Sequence, residues 1–484
     1  MTAATVATTM SALERLRSER ARFALMWVIP IVVGALASFA PQILSDGDTF
    51  WHIAAGGWML DHHGVPSTDP FSFTFAGRPW VAHEWLSEVA MALAYRGAGW
   101  AGVMLLTGLV VLALAAIMAH WLARWLSLAT ALLTLVLGLA AVAPSLLARP
   151  HVLVLPILAL WTVELLSARE QDRAPSVWLI PLMALWANLH GSFAIGFLVA
   201  GAFALETALD FGRWRPGLLL GWAAVLVGAL IATLATPNGV EGLAFPLQLL
   251  DMKSLPAFIG EWRAPNFMKF EPEEVILLAG LFFLFLRGVR LTAARTLLLL
   301  GLTHMMLQHV RHEMLLGVVA PLVIAEPLAR TMGVTAPRPA PWRLPAPQMA
   351  LGAGLLVAAI VARLATPEVR VDGPTAPITA LAAVPPDLRK APVINDYDFG
   401  GYLIFSGVRP FIDGRTDMYG DAFMTEDDRL ERGDALTART VITRYHIRWS
   451  ILRPDQPLVG VLDGLGWKRL YTDRYAVVQE YAGQ

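Results

Sequence analysis

The sequence predicts an α-helical polytopic membrane protein of about eleven spans, with a small extracytoplasmic α/β domain at its C-terminal end. Three observations predict it. The 484 residues are 56% hydrophobic and only 15% charged, with a mean hydropathy of +0.56, a balance that soluble chains of this length do not show. Apolar runs of spanning length, bounded by charges, Pro or Gly, recur up to residue 366. Beyond that point short apolar runs separated by Asp, Gly and Pro restore the composition of a soluble domain.

Residues 1–22 form an expected cytoplasmic segment, in which Arg15, Arg17, Arg20 and Arg22 precede an apolar run and so imitate a secretory signal. The run continues to Leu44, long enough to span, and Ser45 leads into a charged motif rather than a small-residue cleavage site. A retained span is expected. Within a membrane domain over 23–366, apolar segments fall at 23–44, 99–122, 126–146, 151–167, 176–190, 192–210, 217–236, 273–288, 294–310, 313–330 and 347–364. Some are short, as buried helices of a bundle can be.

With the N-terminus cytoplasmic, the even connections hold Arg124, Arg169, Arg173, Arg213, Arg215, Arg287, Arg290, Arg295, Arg330, Arg338 and Arg343. That bias follows the positive-inside rule and predicts a bacterial-type inner-membrane protein whose odd span count leaves residues 367–484 periplasmic. Five prolines between Ala336 and Pro347 read as an extended cytoplasmic linker. In the tail, 392–394, 410–412, 449–452, 467–471 and 475–478 read as strands, with helices near 402–405 and 459–465. A net charge of −1 gives no footprint for nucleic acid, and the lack of cysteine excludes thiol nucleophiles and zinc–thiolate sites.

The outer face collects the residues able to carry chemistry. A large first outer loop, 45–98, opens on Ser45-Asp46-Gly47-Asp48 and continues through His52, His62-His63, Asp69, His83 and Glu84, with Trp51, Trp58, Trp80 and Trp85 expected as interfacial anchors. Asp46 and Asp48 can share a divalent cation, Mg or Mn, through hard oxygen ligands. Alternatively one of them serves as a general base, or the pair merely caps a helix. Glu84 to Arg96 has helical periodicity and suits an interfacial helix.

Arg149 opens a span at its outer end, where it can hold a lipid phosphate or snorkel to the interface. Asn188 and His190 sit in a tight outer turn, where they line a vestibule or satisfy freed backbone groups. Glu261 beside Arg263 is another outer acid or a surface pair. His304, Gln308, Arg311 and His312 recur at helical spacing on one expected face, where ionisable residues next to an apolar run are costly and point to anion binding by Arg311.

A first span followed by a large outer loop opening on acids is similar to the layout of the GT-C superfamily, membrane glycosyltransferases that use polyprenyl-phosphate or polyprenyl-diphosphate sugars. Asp48-Thr49-Phe50-Trp51-His52 resembles the opening of oligosaccharyltransferase catalytic subunits. Asn395-Asp396-Tyr397-Asp398-Phe399-Gly400-Gly401-Tyr402 resembles their Trp-Trp-Asp-Tyr-Gly motif, although the paired tryptophans are missing, and Asp413-Gly414-Arg415 follows at the next turn. The resemblance implies transfer of a sugar from a lipid-linked donor to a glycan, lipid or protein acceptor. Asp46 and Asp48 match the superfamily's first acidic motif; with His52 and Glu84 they are the expected catalytic residues, and the outer-face residues Arg149, Asn188, His190, Glu261, Arg311 and His312 are the expected substrate- and phosphate-binding set. Asp396, Tyr397, Asp398, Asp413 and Arg415 then belong to an acceptor-facing domain. A lipid-linked glycan flippase and a non-catalytic scaffold of an envelope assembly are the alternatives; the first calls for polar residues at mid-span, the second tolerates loss of Asp46 and Asp48.

Overall fold

The computed structural model describes residues 24–210, 215–252, 259–268, 272–337 and 346–481. The segment 1–22, Arg213, Arg338, Arg343 and most of the proline-rich linker lie outside the described residues. A helix accompanies every predicted apolar segment: α1 Ile29–Phe39, α2 Asp48–His62, α3 Trp85–Trp125, α4 Leu128–Val142, α5 Leu155–Glu170, α6 Leu179–Leu189, α7 Phe193–Ala208, α8 Pro216–Ala232, α9 Gly239–Asp251, α10 Pro272–Arg287, α11 Ala293–Gln308, α12 Glu313–Thr331 and α13 Ala346–Ala365. Helices α2 and α9 are additions that hydropathy does not reveal. Among the described residues, five helices are long and apolar enough to cross a membrane, by length and composition.

Small residues set the closest helix crossings. A Cβ on Gly34 of α1 would lie 2.7 Å from the carbonyl oxygen of Gly108 in α3, and one on Gly108 would lie 2.6 Å from that of Gly34. Gly138 of α4 and Gly317 of α12 repeat the arrangement at 2.7 and 2.8 Å. Without side chains at these points the backbones approach closely, which is how helices gain dispersion contacts where no hydrophobic force separates them from lipid. The main core gathers Trp121, Trp125, Trp161, Trp186 and Phe203. Arg295, counted among the solvated cytoplasmic arginines, is instead buried between Glu206 at 3.2 Å and Glu326 at 3.1 Å.

The loop over 45–98 is largely structured. Its Asp46-Gly47-Asp48 opening leads into α2, and its second half enters α3, which continues from this loop into the bundle through a kink at Ala98 and Gly99. Gly99 has φ +58°, a backbone conformation that costs glycine least. Trp51 and Trp80, expected as interfacial anchors, are buried inside the protein.

The C-terminal domain carries a four-stranded sheet, β1 Val393–Asn395, β2 Trp449–Leu452, β3 Lys468–Thr472 and β4 Val477–Glu480, in the order β1-β2-β4-β3. β1 runs parallel to β2, and β4 is antiparallel to both β2 and β3. Helices α14 Ile378–Ala383, α15 Gly400–Phe405, α16 Thr416–Glu431, α17 Ala435–Tyr445 and α18 Pro457–Gly464 surround it. The predicted strand at 410–412 is absent. The Asn395 side chain replaces the ladder there, accepting from Phe411 N at 2.7 Å and donating to the Ile412 carbonyl at 2.8 Å. The buried backbone is therefore satisfied without a strand.

Candidate functional site

The domain and the membrane helices enclose a cavity of about 570 Å³. Helix α2 begins at its floor. The Asp48 N–H donates to Asp46 Oδ1 at 2.7 Å, so Asp46 holds the helix entry with one oxygen and turns the other toward Arg149. Asp48 lies in the first turn, where the helix dipole favours negative charge. Its Oδ1 accepts from Trp51 Nε1 at 3.0 Å.

Arg149 reaches this floor from the start of the α5 region and spans both carboxylates, Nη2 to Asp48 Oδ2 at 2.9 Å and Nη1 to Asp46 Oδ2 at 3.3 Å. Nη1 is also 3.3 Å from Glu261 Oε2, and the second Glu261 oxygen is 3.3 Å from Arg311 Nη1. Arg311 in turn lies 4.4 Å above the Trp262 ring, a cation–π contact. Three acids and two arginines thus form one chain of charge across the cavity. Burial pushes the Asp48 carboxyl up to about 7, Arg149 opposing it and Asp46 adding to it. Burial acts on Glu261 in the same direction, but Arg149 and Arg311 outweigh it and hold Glu261 down at about 2.

A second polar cluster adjoins the first. The Ser192 N–H donates to His190 Nδ1 at 3.0 Å, which fixes the His190 proton on Nε2, 3.1 Å from Glu84 Oε1. His83 Nε2 stands 3.6 Å from the same oxygen. Burial alone raises Glu84, yet the two histidines pull it well below the usual carboxylate range. His52 is buried with Nδ1 3.2 Å from Glu88 Oε1 and 3.9 Å from Glu84 Oε2.

The C-terminal domain supplies the roof. A Cβ on Gly414 would fall 1.8 Å from Asp48 Oδ1, and one on Gly401 would fall 2.3 Å from the Gly47 carbonyl oxygen. Only glycine permits these approaches, because any side chain would occupy the carboxylate's place. Tyr397 and Asp398 also line the cavity, with the Tyr397 hydroxyl 2.7 Å from Thr416 Oγ1.

Of the residues singled out in the sequence, the cavity wall brings together Asp46, Asp48, His52, Glu84, Arg149, His190, Glu261, Arg311, His312, Tyr397 and Asp398. Asn188 is placed apart. Its side chain accepts from Trp85 Nε1 and donates to the carbonyls of Ala184 and Ala235, satisfying the backbone of the turn. Asp396 is buried behind the wall, bonded by Gln456 at 2.7 Å and Arg453 at 2.9 Å. Asp413 and Arg415 form a buried joint in which Arg415 Nη1 is 2.7 Å from Asp69 of the 45–98 loop, and Nη2 is 2.7 Å from Asp413 Oδ2.

The expected common face of His304, Gln308, Arg311 and His312 does not form. Helix α11 ends at Gln308, and a 3₁₀ turn over Val310–His312 redirects the chain, leaving His304 and Gln308 exposed outside. His309 Nδ1 donates to the Trp262 carbonyl at 2.5 Å and ties this turn to the Gly260–Trp262 turn. Sequence reasoning missed Glu88 and Asp417 as cavity residues. Glu88 was detectable as the i+4 neighbour of Glu84 on a predicted helix; Asp417 had no such signal.

No protein-family profile and no curated protein matches the sequence. Solved structures do match. ArnT from Cupriavidus metallidurans bound to undecaprenyl phosphate superposes with a TM-score of 0.54 at 13% identity, covering 93% of this chain and 97% of that one. The apo oligosaccharyltransferase of Archaeoglobus fulgidus superposes with a TM-score of 0.51 at 11% identity, covering 88% and 69%. The protein therefore has a GT-C-like fold: a polytopic helical membrane domain with a small C-terminal sheet domain.

Proposed function

We propose that this protein is a membrane glycosyltransferase that moves a sugar from a polyprenyl-phosphate-linked donor to an envelope acceptor, a glycan, lipid or protein, at the outer face of a bacterial-type inner membrane. The carrying observation is the convergence of Arg149 and Arg311 on the two oxygens of Glu261. Two guanidinium groups 3.3 Å from one carboxylate form a ready anion site, and a donor phosphate that displaced Glu261 would inherit both. The wall beside them, with Ile195, Leu249, Ile259, Met305, Met314 and Leu315, is apolar enough to receive an isoprenoid tail.

Asp48 is the base in this reading. Its raised pKa of about 7 suits proton transfer near neutral pH. It takes the acceptor hydroxyl's proton as that oxygen attacks the anomeric carbon; the bond to the phosphate breaks, Arg149 and Arg311 neutralise the departing charge, and the configuration inverts. A divalent cation on Asp46 and Asp48 would compete with Arg149, which bridges them.

The test uses the chain in lipid nanodiscs. Arg311→Gln is expected to weaken undecaprenyl phosphate binding about 10- to 100-fold, the loss of one charged hydrogen-bond partner. Asp48→Asn is expected to keep that binding and lower transfer from a radiolabelled polyprenyl-phosphate sugar by about 10²- to 10⁴-fold. Undiminished lipid binding in both Arg149→Gln and Arg311→Gln overturns the donor site. Undiminished transfer by Asp48→Asn overturns its role as base, and an envelope function kept intact in cells points to a flippase or scaffold.

A further inference from the structure

Helices α2 and α3 meet at Gly56, where a Cβ would lie 2.0 Å from the Glu88 carbonyl oxygen. This approach brings His52 from one helix against Glu88 of the other and Glu84 just ahead of it. One ligand atom from each of the three residues lies within 4.8 Å of the others. His52 and Glu88 are each only 1% exposed. Glu88 Oε2 is buried and has no hydrogen-bond partner, an unmet cost for a carboxylate unless something else binds it.

From this arrangement we infer a binding site for a divalent transition-metal cation of the zinc class, with His52 Nδ1, Glu84 Oε2 and Glu88 as its protein ligands. An imidazole and two carboxylates are a donor set that Zn²⁺ accepts at bonds of about 2.0–2.2 Å, and neighbouring ligand atoms in such a tetrahedron lie about 3.4 Å apart. The His52 to Glu88 and His52 to Glu84 separations, 3.2 and 3.9 Å, bracket that edge.

The surroundings have the character of an outer ligand shell. His190, its proton fixed on Nε2 by Ser192, binds Glu84 Oε1 and turns Oε2 toward His52; such orienting bonds are regular features of metal centres. His52 stands between the two carboxylates, and Glu84 also meets His190 and His83; a dication at this point would balance the paired acids. All three ligands border the cavity, so the fourth coordination position opens onto it. The inference stands apart from the donor-phosphate reading, which uses Asp48, Arg149 and Arg311.

The experiment strips the full-length protein with a chelator in nanodiscs and titrates it with ZnCl₂ by calorimetry, with metal content read by mass spectrometry. One ion per chain is expected. Glu88→Gln and His52→Asn are expected to weaken binding at least 100-fold, while Asp48→Asn retains it. The Zn absorption edge of the unmutated protein reads the site without any substitution, so a variant that fails to fold does not stop the test. A shell with one imidazole and carboxylate oxygens supports the site. No stoichiometric ion, a shell without imidazole, wild-type affinity in Glu88→Gln, or binding lost in Asp48→Asn alone overturns it.

Discussion

Replacing Arg415 with Met removes a charge while keeping most of the side-chain length. Its guanidinium is fully buried between Asp413 and Asp69, at 2.8 and 2.7 Å to the two Asp413 oxygens and 2.7 Å to Asp69, and it packs over Phe71 and Trp80 at 5.2 and 4.9 Å. Removing one partner of a buried ion pair costs about 3–5 kcal/mol because the remaining charge stays buried. Here two carboxylates lose their partner, which puts Arg415→Met toward the upper part of that range. At ~1.4 kcal/mol per factor of ten, amides of β2, Trp449–Leu452, should exchange hydrogen roughly 10³ to 4 × 10³ times faster, measured by mass spectrometry. Adding Asp69→Asn removes one orphaned charge and should return about 1–3 kcal/mol, a coupling of the size expected for residues in direct contact. A change under about 1 kcal/mol in Arg415→Met, or a double variant worse than the single, would refute the view that this joint holds the loop to the domain.

Transfer activity should rise with pH through about 7 and then level off, because Asp48 with its pKa near 7 is a base only when ionised; a profile flat from pH 5 to 8 rejects Asp48 as the base. Gly414→Ala places a methyl 1.8 Å from Asp48 Oδ1 and should lower transfer about 100-fold, the effect of an ångström's displacement of a reacting group, while leaving lipid binding intact; unchanged turnover would mean that the roof moves freely. Burial raises Asp396 to about 7, Arg453 opposing it, so the folded state holds a proton that the unfolded chain releases near 3.8. Its contribution is present below pH 3.8 and is lost as pH rises to about 7. Asp396→Asn should flatten that part of the stability profile in chemical denaturation, and an unaltered slope would show that Asp396 titrates normally.

The bundle was legible because apolar runs bounded by arginine carry their own punctuation, as from Leu128 to Val142 or Glu313 to Thr331. Helix α2 was not. Its Asp-Gly-Asp opening is turn chemistry, and Gly56-Gly57 interrupts its apolar spacing, so only packing against α3 identifies it. Residues 410–412 illustrate the converse failure: an apolar triplet reports burial, not what satisfies its backbone, and the Asn395 amide does so in place of a neighbouring strand. In the site, Asp46 and Asp48 are visible as neighbours in sequence. Their arginine is 101 residues beyond Asp48, and Arg149 before a proline at a span end reads equally well as a snorkelling side chain. Its pairing with Glu261, 112 residues further on, exists only through the fold.

The two motifs noted separately in the sequence, at Asp46 and at Asn395 to Arg415, describe one structure. Gly47 meets the Asp398 carbonyl, Gly401 meets Gly47, and Gly414 meets Asp48, each so closely that a Cβ would lie 2.7, 2.3 and 1.8 Å from an oxygen. Arg415, next in the chain, anchors the same turn to Asp69. The C-terminal domain therefore does more than add a surface to the helical bundle: it closes one side of Asp48 and limits where that carboxylate points. Burial is what raises Asp48 to about 7, and part of that burial belongs to the domain. A chain with the membrane helices intact but this roof displaced would keep Asp46, Asp48 and Arg149 in place and lose the tuned base. The soluble domain is in this sense part of the proposed catalytic apparatus, acting on the carboxylate through backbone contact.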